Sequence, residues 1–259
     1  MADDKGSLVV AGTGIKFISH LSTETIAYIQ QSDKVIYSLN EPAIEAWIKK
    51  NNPNVQSLNF LEAVQNPRLV NYQEMTNYIV NEVKKPQHIC VVFYGHPAVF
   101  AKSALDAVVQ LENENYVATI LPAISSEDCL FADLRIDPGS HGCQSYEATD
   151  FLIRKKRIDP SSHLILWQIG LIGAFKDYKN HDNSIGVHLL IDYLSEFYDN
   201  DHSAIVYEAA LYPHMQPNII NCSIHELKQI YLSSISTLYI PPAYQASIEM
   251  TMLEKLGKL

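Results

Sequence analysis

An α/β fold in two lobes is the class this sequence predicts. Three observations lead there. Short apolar runs of strand length recur and stop at turn residues. Helical patterns lie between them, and strands alternating with helices mean a parallel sheet covered on both faces. The 259 residues, 47% hydrophobic and 19% charged, suffice for a substantial core.

The first strand is expected over residues 8–11, ending at Gly12. The second, 35–39, follows Asp33; the third, 89–94, ends at Gly95; the fourth, 117–121, ends at Pro122. Helices are expected at 23–31, 42–50, 68–84, 99–112 and 126–134. In the second half, strands are expected at 163–169, 204–208 and 237–240, with helices at 147–156 and 187–198. A boundary near residues 121–126 gives lobes of 1–122 and 123–259, meeting over a cleft and working as one domain. No repeat or linker interrupts them. Ligands of open α/β sheets bind beyond the carboxyl ends of the strands, so the turns there are where chemistry is expected.

Charge and cysteine usage narrow the function classes. The net charge of −10 disfavours nucleic acid as a partner. The one dense basic run, Arg154-Lys155-Lys156-Arg157, reads as a solvated helix end. The four cysteines form no C-x-x-C pair and no histidine cluster has zinc spacing, so reduced thiols and no structural metal are expected. Cys90 lies in an apolar run and reads as core. No secretory signal opens the chain, and no apolar stretch approaches the roughly 20 residues of a membrane helix. A soluble, cytoplasmic protein is the expectation.

Three strand-end turns carry the candidate ligand site. The first, Gly12-Thr13-Gly14-Ile15-Lys16-Phe17, lacks the third glycine of a dinucleotide fingerprint. Gly12 and Gly14 serve either a tight turn with positive φ or the close approach of a ligand to backbone. The second is Tyr94-Gly95-His96-Pro97-Ala98-Val99-Phe100. Gly95 admits a ligand to the backbone, Pro97 stiffens the loop, and Tyr94 and His96 offer polar handles. The third, Pro122-Ala123-Ile124-Ser125-Ser126, brings two hydroxyls to the same sheet end. Ser125 either caps the next helix or meets the ligand. Gln168, in an otherwise apolar strand after Trp167, is an amide that needs partners from the core or from a ligand.

Taken in order, V-A-G-T-G, then F-Y-G-H-P-A-V-F, then L-P-A-I-S-S-E-D-C-L-F-A-D-L resemble the tetrapyrrole methylases. That resemblance implies a two-lobed class III methyltransferase fold with the cofactor cleft between the lobes. Ile15 and Lys16 stand where most of that family has Pro-Gly, and His96 stands for an Asp. Further stretches resemble the borosin (omphalotin-type) peptide backbone α-N-methyltransferases: Gly142-Cys143-Gln144-Ser145-Tyr146-Glu147-Ala148-Thr149, Leu166-Trp167-Gln168-Ile169-Gly170 and Ser236-Thr237-Leu238-Tyr239-Ile240-Pro241-Pro242. The resemblance spans about residues 7–243. It implies S-adenosylmethionine as cofactor, S-adenosylhomocysteine as product, and contacts from Gly12, Gly14, Tyr94, Gly95, His96, Pro97, Val99, Phe100, Ser125, Ser126, Gln168, Ala210 and Thr237.

The segment Asn66-Pro67-Arg68 reads as a helix start, with Asn66 as N-cap and Pro67 at the first position. Arg68 and Tyr72 then share one face, continued by Met75, Ile79 and Val83. A cation atop an apolar stripe either pairs with a carboxylate from elsewhere or awaits negative charge. Methylating a peptide N–H means removing its proton and stabilising the imidate oxygen, because its lone pair is delocalised. A phenol can carry the proton and a guanidinium the oxyanion. The resemblance implies these catalytic roles for Tyr72 and Arg68. Six to nine residues before Arg68, where the family has tyrosines, stand Asn59 and Glu62, with Phe60 beside them.

No repeated apolar core peptide follows Pro241-Pro242, so the resemblance implies the split bacterial type, acting in trans on a separate precursor peptide as a homodimer, or as a heterotetramer with the precursor. Two other readings stay open. One is a methyltransferase for a small molecule or tetrapyrrole. The other is a cofactor-binding partner of a peptide without a competent base.

Overall fold

The computed structural model describes residues 5–39, 41–62, 68–175 and 181–257, without the side chains of Phe60, Glu62, Arg68 and Leu69. The expected Asn66 and Pro67 helix start lies outside the described residues. The chain folds as two units. The first comprises Met1–Leu134, Phe175–Asp177 and Ala209–Pro217; the second comprises Arg135–Ala174, Tyr178–Glu208 and Asn218–Leu259.

The first unit runs β1 (Ser7–Gly12), α1 (Thr23–Gln31), β2 (Lys34–Ser38), α2 (Pro42–Asn51), β3 (Val55–Ser57), α3 (Asn59–Glu62), α4 (Arg68–Val83), β4 (His88–Phe93), α5 (Lys102–Asn113), β5 (Val117–Ile120) and α6 (Ser126–Leu134). Its sheet has the order β3-β2-β4-β1-β5, with every pairing parallel. Successive residues of β4 feed opposite layers. Ile89, Val91 and Phe93 pack with Met75, Ile79 and Val83 of α4 and with Ala104 and Leu111 of α5. Cys90 and Val92 pack with Ile29 of α1 and Ile44 and Ile48 of α2. A strand buried on both faces must be apolar at nearly every position, as β4 is. Local chemistry fixes the helix starts. The Ser22 hydroxyl accepts from Thr25 N–H before α1, and Glu41 accepts from Ala43 N–H before α2, where Pro42 holds the first position.

The second unit runs α7 (Pro138–His141), β6 (Cys143–Glu147), α8 (Ala148–Ile153), β7 (His163–Trp167), α9 (Ser184–Leu194), β8 (Ser203–Glu208), β9 (Asn218–Ser223), β10 (Thr237–Ile240) and α10 (Met250–Lys255). The sheet order is β6-β7-β10-β8-β9. Only β6 and β7 pair in parallel; β7–β10, β10–β8 and β8–β9 are antiparallel. Leu164, Leu166, Val206, Leu238 and Ile240 pack on one face against Phe151 of α8 and Val187, Leu190 and Leu194 of α9.

Several expected boundaries move, each for a local reason. The helix expected from residue 99 starts at Lys102, because Phe100 has φ 56°, outside the right-handed helical region. The strand expected to reach residue 169 stops at Trp167, because Gln168 has φ 59°. The helix expected to reach residue 156 stops at Ile153, with Lys155 at φ 44°, so the basic run follows the helix end. The first unit runs on through α6 to Leu134. The short link from β5 keeps α6 in the first unit, where Cys129 and Leu130 are buried. Strands β3, β6 and β9 were not expected. Their sequences, VQS, CQSYE and NIINCS, are short or half polar.

None of the four cysteines forms a disulfide, and Cys90 is core, with burial pushing its thiol up to about 12. No helix among the described residues is long and apolar enough to cross a membrane.

Gly170 offers a direct test of the second unit's packing. A Cβ there would lie 1.9 Å from the Ser233 carbonyl oxygen, whereas one at Gly173 would meet nothing within 4 Å. Gly170→Ala is expected to cost about 3 kcal/mol or more by overpacking, because the atoms in the way are backbone. Gly173→Ala should cost only the roughly 1–2 kcal/mol of a left-handed alanine. Urea unfolding of the two variants checks the order, and equal losses would contradict it.

Candidate functional site

The site is built where three parallel strands of the first unit end together. Gly12 closes β1, and a Cβ on it would lie 2.1 Å from the Gly95 carbonyl oxygen, 2.7 Å from Pro97 Cδ and 2.8 Å from Ala123 Cβ. The close approach at Gly12 is therefore made by the protein's own turns after β4 and β5. Just beyond it, Gly14 N–H donates to Gly95 O at 3.2 Å and Gly95 N–H donates to Gly14 O at 3.1 Å. Both glycines have positive φ, 66° and 71°, which only glycine adopts without strain. Thr13, buried at this junction, donates its N–H to Phe93 O.

His20 closes the first loop from the other side. Its Nδ1 accepts from Ile15 N–H at 3.2 Å and Lys16 N–H at 3.1 Å, which requires the neutral ring. Burial, with Lys16 adding, holds its pKa below the ordinary imidazole value against the opposing charge of Asp128.

The turn after β4 presents apolar surface where a sheet end meets solvent. Tyr94, Val99 and Phe100 are 39%, 44% and 46% exposed. The left-handed φ of Phe100 is a strained state for a bulky residue, and such strain concentrates at functional turns. His96 Nδ1 accepts from Ala98 N–H at 3.1 Å, so the expected polar handle braces its own turn. Burial pushes the Tyr94 phenol up to about 12, with Cys129 and Glu41 adding, so it is a neutral donor at ordinary pH.

The Ser125 hydroxyl donates to Asp128 Oδ2 at 2.7 Å and accepts from Asp128 N–H at 3.2 Å, while Asp128 Oδ2 also accepts from Ser125 N–H. This reciprocal cap starts α6 at Ser126. Ala210 is buried in the segment Ala209–Pro217 of the same unit.

In the second unit, Gln168 follows β7 in a left-handed conformation, and its Oε1 is buried without a hydrogen-bond partner. Its neighbours are well tied. Ile169 N–H donates to Ser236 O at 3.1 Å, and Thr237 is buried at the start of β10, opposite Tyr207. Glu208 Oε1 accepts from the hydroxyls of Ser233 and Ser236, at 2.5 and 2.6 Å. An orphaned buried acceptor beside satisfied ones is where a ligand donor fits.

The expected stripe on α4 is present: Tyr72 packs on the core that buries Met75, Ile79 and Val83. Arg68 is the first residue of α4, and its side chain lies outside the described residues, as do those of Phe60 and Glu62. At Asn59, Nδ2 donates to Leu39 O at 2.8 Å. The Oδ1 atoms of Asn59 and Asn71 are both buried and unpartnered. Sequence reasoning did not single out His20 and Glu41, whose side chains accept from backbone N–H groups, or Asn71, whose Oδ1 is buried. Among the described residues, no group of three or more His, Cys, Asp or Glu could hold a metal ion.

Known proteins resemble this chain over most of its length. It is 40% identical over 260 residues to the methyltransferase/ribosomally synthesized cyclic peptide gymnopeptides precursor of Gymnopus fusipes, covering 98% of this chain and 61% of that protein. It is 37% identical over 260 residues to the methyltransferase/ribosomally synthesized cyclic peptide omphalotin A precursor of Omphalotus olearius, covering 98% and 62%. The chain thus spans about three-fifths of the length of these curated relatives. In fold it is similar to the crystal structure of uroporphyrin-III-C-methyltransferase from Thermus thermophilus, with TM-score 0.65, 15% identity and 92% of each chain covered. Residues 7–228 match the Tetrapyrrole (Corrin/Porphyrin) Methylases, and the chain belongs to that family.

Proposed function

We propose that this protein is an S-adenosylmethionine-dependent methyltransferase that α-N-methylates backbone amides of a precursor peptide supplied as a separate chain. The observation that carries the cofactor reading is the turn after β4. Exposed Tyr94, Val99 and Phe100 stand at the carboxyl end of a parallel strand, with Phe100 strained. Such a surface fits a ligand with an apolar ring and a polar edge. The peptide substrate is carried over from relatives whose names join a methyltransferase to a cyclic peptide precursor.

The residues present suit the cofactor. Tyr94, His96, Val99 and Phe100, braced by Gly12, Gly14, Gly95 and Pro97, are assigned to hold it, with Ser125, Ser126 and Ala210. Gln168 and Thr237 stay in the assigned set, because the Gln168 Oε1 lacks a donor that a ligand could supply. When bound, the cofactor supplies an electrophilic methyl group. Tyr72 is assigned the amide proton and Arg68 the imidate oxygen, since a guanidinium stays charged and forks onto an anion. Neutral Tyr94 is assigned a hydrogen-bond donor role. The proposed assembly is a homodimer, or a heterotetramer with the precursor.

One observation favours a second reading, a cofactor-binding partner without a competent base. At a position where the resemblance has a tyrosine, Asn59 holds backbone at Leu39 O and offers no phenol.

Residues 1–259 incubated with S-adenosylmethionine and candidate precursor peptides should add methyl groups to backbone nitrogens, read by fragment mass spectrometry. Arg68→Ala is expected to cut turnover about 10²–10³-fold while leaving cofactor affinity nearly intact. Measurable cofactor affinity with no mass gain on any peptide would favour the second reading.

His20 predicts a pH dependence. Its folded pKa is depressed, so the neutral form that accepts from Ile15 and Lys16 stabilises the first loop above the unfolded value of about 6.5, and this is lost as pH falls through the folded value. Affinity for S-adenosylhomocysteine, measured by calorimetry from neutral to acidic pH, should fall below that point. His20→Asn, with its Oδ1 as a non-titrating acceptor, should flatten the profile. An unchanged profile would remove His20 from the linkage.

A further inference from the structure

The segment Ala209–Pro217 belongs to the first unit although it leaves from β8 and returns to β9 of the second. Three contacts hold it. Phe17 N–H donates to Leu211 O at 2.8 Å. The Tyr212 ring meets Phe17 edge-on, with centroids 6.1 Å apart. The Tyr212 hydroxyl donates to Glu41 Oε1 at 2.8 Å, across 171 residues of sequence.

Glu41 does more than receive that bond. The same Oε1 accepts from Ala43 N–H at 3.0 Å and caps α2. Its charge also helps keep the Tyr94 phenol protonated. One carboxylate thus joins the start of α2 and the segment carrying Ala210. Ala210 has no polar side chain with which to fix itself. Its placement follows from the anchors at Leu211 and Tyr212, one and two residues on.

We propose that the Tyr212–Glu41 hydrogen bond is a latch that positions Ala210 for S-adenosylmethionine, with Tyr212 and Glu41 as positioning residues. The inference rests on the cofactor reading above. Without the phenol hydroxyl, the segment keeps the Leu211 hydrogen bond and the ring contact, so it stays folded but samples more positions. The consequence is weaker cofactor binding rather than unfolding.

The test is calorimetric affinity of the full chain for S-adenosylmethionine and S-adenosylhomocysteine, with a thermal melt of each ligand-free variant. Tyr212→Phe should weaken both ligands about three- to tenfold, the size of one partly exposed hydrogen bond to a charged group. Glu41→Gln keeps a neutral acceptor for both Tyr212 and Ala43 and should weaken binding less than Glu41→Ala does. Glu41→Ala should weaken binding, and adding Tyr212→Phe to it should cost little more. Tyr212→Phe with unchanged affinities, whatever its melting temperature, would overturn the latch. So would Glu41→Gln as weak as Glu41→Ala. A wild type that binds neither ligand would instead sink the cofactor reading, and the latch with it.

Discussion

The candidate site depends on one constraint, the convergence of three strand-end turns at Gly12. A Cβ there would collide with the Gly95 carbonyl, the Pro97 ring and the Ala123 methyl at once. Two of those neighbours are stiff, so no side chain could be accommodated by a small shift. The reciprocal bonds between Gly14 and Gly95 follow from that approach, and they set the direction of the turn that exposes Tyr94, Val99 and Phe100. The glycines bring backbone to backbone; the residues beyond them make the apolar surface.

Left-handed non-glycine residues occur in two of these turns and after β7, as well as after helices at Asn115, Arg135 and Lys155. Ile18, Phe100 and Gln168 are bulky or branched residues in the left-handed region, following β1, β4 and β7. Such conformations cost of order 1–3 kcal/mol each and persist where surrounding contacts over-determine them. His20 on the first loop and Ser236 near Gln168 are such contacts. The starts of α1 and α2 are relaxed and capped, at Ser22 and Glu41.

Much of the first unit was legible because parallel strands buried on both faces leave unbroken apolar runs, and β4 is one. Helices α1 and α6 match their expected bounds, since Ser22 and the Ser125–Asp128 pair cap them locally. The second sheet was less legible. Alternation of strands with helices suggested parallel pairing, yet β8, β9 and β10 are antiparallel, and β9 is an edge strand of half-polar sequence. Turn residues such as Tyr94 and Gln168 could be read from motif order. Glu41 and Tyr212 could not, because 171 residues separate them and neither lies in a recognisable pattern.

The two tyrosines assigned to the site sit in different settings. Tyr94 stands in the turn after β4, where burial, with Cys129 and Glu41 adding, pushes its phenol up to about 12. Tyr72 lies one turn into α4, above Met75 and Ile79, and its carbonyl accepts from the Thr76 hydroxyl, which also reaches Ser103 O. That bond ties α4 to the start of α5, and α5 begins just after the strained Phe100. The proposed proton carrier and the proposed cofactor turn are therefore braced through one threonine.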